Sequence, residues 1–225
     1  MVKVSQLKHP ENSHRKQVLL PKHSKDLAEF FGIMIGDGGI NNDWQFKITM
    51  NSIADKDYSK YVLKLVQKLF KVEPSLMKRK NRNAMDVYLN SVTVVDFLVD
   101  NGLIRGNKLK QGLKIPKWIL KNREYSKVCV RGLFDTDGCM YIHTHKVSGK
   151  IYRNIGLQFT SYSKELIFQV AEILDNFGIM PHITKRGNEI YIYQADMIKK
   201  YLKLFGTSNS RISSVYNKWR DARAV

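Results

Sequence analysis

Phe30-Phe31-Gly32-Ile33-Met34-Ile35-Gly36-Asp37-Gly38 and Val130-Arg131-Gly132-Leu133-Phe134-Asp135-Thr136-Asp137-Gly138 are near copies of one another in a chain of 225 residues. Each is an apolar run of helical character with a central Gly, and each delivers an Asp just before a second Gly. Alone, such a run reads as a core helix followed by a turn. Doubled, with Gly at the same offsets, it reads as a duplicated fold whose halves each contribute one carboxylate. Gly32 and Gly132 lack side chains, so two helices crossing there bring their backbones close and their C-terminal ends together. Gly38 and Gly138 are expected to supply the left-handed conformation of a helix stop. Asp is disfavoured at the negative end of a helix macrodipole, so two carboxylates meeting there call for a cation.

The repeat continues outward from the two runs. Pro74 to Leu89 resembles Pro181 to Ile192, each a basic hairpin with an acidic residue and a Tyr in its second strand, and Tyr58–Phe70 and Lys164–Phe177 share helical apolar spacing. Each half therefore reads helix, two strands, helix, two strands, helix. The predicted class is α+β, with two pseudo-symmetric αββαββα halves packed through the repeated helices. The expected divisions are a basic N-terminal arm at 1–23, a first half at 24–104, a linker at 105–121 and a second half at 122–225. The opening segment, Met1 to Lys25, carries Lys3, Lys8, Arg15, Lys16, Lys22 and Lys25 without amphipathic order, and is expected to be an extended arm.

With 38 Lys and Arg against 20 Asp and Glu, the formal charge is +18 and the pI about 9.8, which favours a polyanionic partner. Such a field supplies mainly salt-sensitive, sequence-independent affinity. Cys129 and Cys139 are the two cysteines and have no metal-ligand spacing around them, which argues against a disulfide framework or a zinc site. No transmembrane run or secretory leader is read in the sequence, so an intracellular protein without a membrane partner is expected.

Strand parity assigns the sheet faces. In the second half Ile151, Ile155, Leu157 and Phe159 share one face and Lys150, Tyr152, Asn154, Gln158 and Thr160 the other; Met140 and Ile142 are expected inward, with Tyr141, His143 and His145 outward. Ser148-Gly149 marks the connecting turn. In the first half Trp44, Phe46, Ile48 and Met50 are expected to pack inward while Gln45, Lys47, Thr49 and Asn51 point away. Further polar-face positions are Ser75, Met77 and Arg79, with His182, Thr184, Arg186 and Tyr191 in the other half. An amphipathic sheet with one wet face accounts for the alternation. Apart from Asp86 and Glu189, however, the outward positions lack acids. Arg or Lys can read guanine and Asn or Gln adenine from a ribbon in the major groove, so these positions are the expected DNA contacts.

The doubled motif, the order of elements and their spacing resemble the LAGLIDADG homing endonucleases, in the single-chain form that carries both copies, over roughly residues 24 to 222. The resemblance implies motif helices at the interface between halves and saddle-shaped antiparallel sheets gripping double-stranded DNA. It implies metal-dependent phosphodiester hydrolysis, with Asp37 and Asp137 holding Mg²⁺ and Gly36 and Thr136 beside them in the metal site. Mn²⁺ or Ca²⁺ is expected to substitute in binding. A basic residue after each third helix is implied as a phosphate or water ligand, which points to Lys108 or Lys110 and to Arg211. Asn51, Ser161 and Gln158 end strands beside the motif helices, where ordered water is expected. Asp135 stands where the family name has its first Asp and is expected to cap or hydrogen-bond rather than to ligate metal. The two polar faces differ, so a long asymmetric target cut by a monomer is expected. An RNA-binding intron maturase and a non-cleaving DNA-binding regulator on the same scaffold stay open. An intein-borne nuclease is disfavoured by the residues that open and close the sequence, leaving a free-standing, intron-encoded protein as the expectation.

Overall fold

A computed structural model describes residues 18–222. Lys3, Lys8, Arg15 and Lys16 of the expected arm lie outside them. The end of that arm is not extended into solvent: Leu19 N–H donates to the Phe70 carbonyl (3.2 Å), and the His23 ring stacks on Trp118 at 4.0 Å.

The first half runs α1 (Lys25–Gly36), β1 (Gly38–Asn42), β2 (Gln45–Asn51), α2 (Lys56–Phe70), β3 (Ser75–Lys78), β4 (Ala84–Asn90) and α3 (Val92–Asp100). A one-turn helix, α4 (Lys117–Leu120), precedes the second half. There follow α5 (Arg123–Asp137), β5 (Gly138–Val147), β6 (Lys150–Thr160), α6 (Lys164–Asn176), β7 (His182–Ile183), β8 (Glu189–Ile192), α7 (Ala195–Leu204) and a helix the sequence reading did not separate, α8 (Ser210–Asp221). The sheets have the same antiparallel order, β1-β2-β4-β3 and β5-β6-β8-β7. The class is α+β, as expected.

Helix starts are set by local chemistry. Ser24 accepts from Leu27 N–H at 3.2 Å, and Asn122 from Glu124 and Tyr125 N–H at 3.0 and 3.1 Å, so orphan amides at the heads of α1 and α5 are satisfied. Residues 27 to 35 of α1 are buried all round, as a helix sandwiched between a sheet and a partner helix requires. That partner is α5. A Cβ on Gly32 would lie 2.1 Å from the Cys129 carbonyl oxygen, and one on Gly132 2.5 Å from that of Glu29, so the helices meet backbone to backbone.

Three expectations about local structure are corrected. Gly38 and Gly138 are not left-handed: neither is among the positive-φ residues, and Gly138 has φ −82° and ψ 153°. Their lack of a side chain is needed for space, since each strand turns straight back over its helix end. A Cβ would fall 2.5 Å from Met34 Cα at one and 2.3 Å from the Phe134 carbonyl oxygen at the other. Trp44 does not pack inward; it sits in the β1–β2 turn, 50% exposed. Ile151 and Ile142, on the apolar face by parity, are 66% and 38% exposed, because β5 and β6 run past the end of the core beneath them. Alternation gives the face of a residue but not where the core stops.

Candidate metal centre and nucleic-acid interface

The crossing brings the C-terminal ends of α1 and α5 together. Asp37 caps α1, its N–H donating to the Ile33 carbonyl at 3.0 Å, and Asp137 is the last residue of α5. Gly36 makes room between them: a Cβ there would meet Thr136 Oγ1 at 2.1 Å and an Asp137 carboxylate oxygen at 3.2 Å. Burial pushes the Asp37 carboxyl up from 3.8 to about 7, and the nearby carboxylates of Asp137 and Asp55 add to the rise against Lys108 and Arg211. Burial also raises Asp137, against Lys108. Both acids resist carrying charge until a cation joins them.

Each helix end carries its own basic side chain. Lys108 Nζ donates to the carbonyls of Ile35 (2.6 Å), Gly36 and Gly38 (2.9 Å). Arg211 donates from Nη1 to Gly138 (3.1 Å) and from Nη2 to Thr136 (3.3 Å) and Asp135 (3.4 Å). These are equivalent carbonyls, reached by residues of unrelated local sequence. A cation at the negative pole of a helix neutralises unpaired carbonyls there. Burial lowers the Lys108 pKa, while Asp137 and Asp37 hold it up. Lys110 is exposed, and what it contributes is its backbone N–H, donated to Asn107 Oδ1 at 3.2 Å. Gly36 and Thr136 therefore present carbonyls already shared with Lys108 and Arg211, although a carbonyl has a second lone pair.

The expected water-holding residues lie at strand ends with their side chains engaged. Asn51 Oδ1 accepts from Ile53 and Ala54 N–H at 2.9 and 3.0 Å, and Ser161 Oγ from Ser163 N–H at 3.2 Å. Gln158 Nε2 donates to Tyr191 OH at 2.9 Å, on the polar face of the second sheet.

A buried polar network beside the centre was missed from the sequence. Glu29, 2% exposed, accepts from Tyr61 OH (2.8 Å), Arg131 Nε (3.1 Å), Arg131 Nη2 and Ser208 Oγ (3.2 Å). Asp135, 1% exposed, accepts from Thr207 Oγ1 and from Ser208 N–H at 2.8 Å; burial raises its carboxyl to about 7 against those two hydrogen bonds. Asp135 thus hydrogen-bonds inside the protein. Asn209 Nδ2 donates to Asp55 Oδ1 and to the Asp135 carbonyl, both at 2.9 Å, and its Oδ1 caps α8 by accepting from Arg211 N–H at 3.0 Å. Asp55 also pairs with Arg211 Nε at 3.4 Å. Glu29, Arg131 and Asp135, charged residues in or beside the apolar runs of the two helices, were the available signal.

On the first sheet Gln45, Lys47 and Thr49 share β2 and are half-buried to exposed, and Ser75 and Met77 lie on the exposed strand β3. Arg79, just beyond β3, forms a two-pronged pair with Asp86 at 2.8 and 2.8 Å and reaches Thr49 at 3.2 Å, so both are already partnered. The second sheet is aromatic in character. His143, His145 and Tyr152 stack at 5.4 and 5.5 Å, and Tyr191 stacks on Tyr193 at 5.2 Å. Tyr141, Lys150, Asn154 and Thr160 share that face by pairing register. His182 is on β7, whereas Thr184 and Arg186 fall in the β7–β8 connection rather than on a strand.

Among protein families, residues 28–110 match the WhiA LAGLIDADG-like domain and residues 124–206 the LAGLIDADG-like domain, so both halves are accounted for. The chain belongs to the LAGLIDADG family. The LAGLIDADG likeness extends to solved structures. The I-LtrWI LAGLIDADG homing endonuclease bound to target DNA aligns with TM-score 0.59 over 87% of this chain and 88% of that one at 12% identity. I-DmoI in complex with DNA and Mn aligns with TM-score 0.53 over 82% and 97% at 18% identity. Such likenesses establish the LAGLIDADG fold. Among curated relatives, the replication factor C small subunit of Methanocaldococcus jannaschii is 28% identical over 84% of this chain, which spans 10% of that protein. The ribonucleoside-diphosphate reductase NrdEB subunit alpha of Bacillus subtilis is 27% identical over 75%, spanning 16% of it. A probable cell division protein WhiA of Clostridium botulinum is 22% identical over 82% of this chain and 59% of its own length.

Proposed function

We propose that the chain is a site-specific homing endonuclease, a monomer that makes double-strand breaks in a long asymmetric DNA target by metal-dependent phosphodiester hydrolysis. One observation carries this reading: two carboxylates from equivalent positions meet at the seam, each helix end backed by its own cation, Lys108 or Arg211. A cut in each strand of a duplex needs two such sets, and a binding module needs neither. The solved neighbours include DNA complexes, one of them with Mn, which supports the substrate and a divalent metal. That this LAGLIDADG unit spans 10% and 16% of two larger relatives supports a mobile element carried by host genes.

The residues present suit Mg²⁺. The donors at the seam are hard oxygens, Asp37 and Asp137 with the carbonyls of Gly36 and Thr136, and Gly36 keeps the space clear. Among the described residues no group of three or more His, Cys, Asp or Glu could hold a metal, which matches an ion that retains waters and takes phosphate oxygens rather than a dedicated protein cage. When bound there, it supplies charge neutralisation at the phosphate and a more acidic water. Asp37 and Asp137 would hold such ions, one acid for each strand. Lys108 and Arg211 set positive charge beside the reacting phosphates and keep the helix ends from repelling them. The two polar sheet faces, together with a net charge of +18, hold the duplex across the seam.

The match of residues 28–110 to the WhiA domain favours one second reading, a DNA-binding regulator that does not cut. Incubation of a randomised or host-insertion-site duplex library with Mg²⁺ separates the two. The intact chain should yield double-strand breaks at one asymmetric site, and Asp37→Asn and Asp137→Asn should each reduce them by about a thousandfold or more. Binding without cutting by the intact chain leaves the regulator, and tight binding of structured RNA in place of duplex DNA leaves the maturase.

A further inference from the structure

The two sheets differ in reach. In the first, all 7 residues of β2 pair with β4, from Gln45↔Asn90 to Asn51↔Ala84, so the sheet ends flush. In the second, β5 and β6 have 10 and 11 residues and pair from Gly138↔Phe159 to Val147↔Lys150, but β8 joins only Leu157 to Thr160. Lys150 to Gly156, with their β5 partners, form a two-stranded ribbon beyond the third strand.

The ribbon is ordered by its own contacts. Its turn uses the positive φ of Ser148 (48°) and Gly149 (83°), which matches strand twist. His145 and Tyr152 are cross-strand partners with stacked rings, and from behind, Trp219 of α8 donates to the Arg153 carbonyl at 3.0 Å. At its root the Tyr141 ring lies over Gly156, where a Cβ would come within 2.4 Å of it, and Tyr141, His143, Asn154 and Tyr193 line a cleft of about 250 Å³. Residues 138–160 contain no acid and carry Lys146, Lys150 and Arg153. The ribbon is positive and preformed, and its polar face is exposed at His143, Lys150, Tyr152 and Asn154.

We infer that the second half reads further along the duplex than the first, so that the half-sites flanking the cut are unequal, the longer one extended by base pairs that His143, His145, Lys150, Tyr152 and Asn154 contact. This rests on the endonuclease reading above. β6 exceeds β2 by 4 residues. At about 3.3 Å per strand residue that is about 13 Å of extra reach, or about four base pairs at about 3.4 Å each. A two-stranded ribbon fits the major groove, where these side chains meet base edges.

The test selects bound sequences from a randomised duplex library with the intact chain in Ca²⁺, then footprints the selected duplex with hydroxyl radical. Protection and sequence preference should extend about four base pairs further on one side of the centre. Replacing residues 145–152 with Asn-Gly should erase that extension and leave protection on the opposite flank. Lys150→Ala combined with Tyr152→Ala, both exposed, should weaken affinity for the selected duplex by about tenfold and carries the test if the shortened ribbon does not fold. Equal flanks, or an unchanged footprint in both variants, overturn the unequal reach while the endonuclease reading stands. Failure to bind any duplex overturns that reading and this one together.

Discussion

The end of α1 and the end of α5 do the same thing with different parts. Three carbonyls at each are neutralised by one basic side chain, Lys108 at the first and Arg211 at the second, and each end presents one Asp. The surroundings diverge. Where the second motif has Asp135 the first has Ile35, where it has Arg131 the first has Phe31, and Glu29 faces the copy's Cys129. Arg211 forms an ion pair with a carboxylate of the first half, Asp55 at 3.4 Å, whereas the carboxylates near Lys108 are Asp137 and Asp37. On the endonuclease reading proposed above, the two ends would act on two strands of equivalent geometry, and they carry equivalent groups. The lock between the halves has no such symmetry to obey and has become a one-sided polar network.

The sharpest way to break this comparison is to remove the two cations separately. Lys108→Met and Arg211→Met should each slow cleavage by a similar factor, about a hundredfold or more in single-turnover assays. Arg211→Met should also lower the melting temperature more than Lys108→Met, because it breaks the ion pair with Asp55 as well. A large activity loss confined to one variant would refute the equivalence. Next in size is the one-sided lock. Glu29→Gln leaves Arg131 half-buried without its partner and should cost about 3 kcal/mol in chemical denaturation, while the double change Glu29→Gln with Arg131→Met should recover part of that. Additive losses would show that the pair is not coupled.

The smallest effect concerns the acids without metal. The Asp37 carboxyl is raised from 3.8 to about 7, so the folded state binds the extra proton and intact-chain stability falls as pH rises through that interval. Asp37→Asn removes the loss. In chelator at pH 8 it should raise the melting temperature by about 5 °C, and well below pH 3.8 the gain should vanish, since the intact carboxyl is then protonated in both states. Asp137→Asn should gain less, because Asp37 alone has Asp55 adding to its burial. Equal melting curves for intact chain and variant at pH 8 would show that Asp37 is better solvated than its position implies.

Much of the fold was legible because it was written twice and locally. Helix and strand periods, the Ser148-Gly149 turn and the paired motifs need only neighbouring residues, and the order of elements follows from them. What was not legible depends on where chain distant in sequence comes to rest. Lys108 and Lys110 are both lysines of one loop, and only the path of that loop sends Lys108 under the helix end. Gly38 and Gly138 look from the sequence like left-handed helix stops, whereas the constraint on them is chiefly the main chain of Met34 and Phe134 behind them. Trp44 falls in a turn rather than on a strand, and Ile151 obeys its alternation but sits past the edge of the core.

Backbone contact at Gly32 and Gly132 has a consequence for the product. Side chains can change rotamer and let two helices slide, whereas main chain against main chain leaves no such tolerance. For a nuclease of this construction, the offset between the two cuts is a fixed ruler. Variants selected for new targets should differ in how fast they cut while leaving overhangs of one unvarying length.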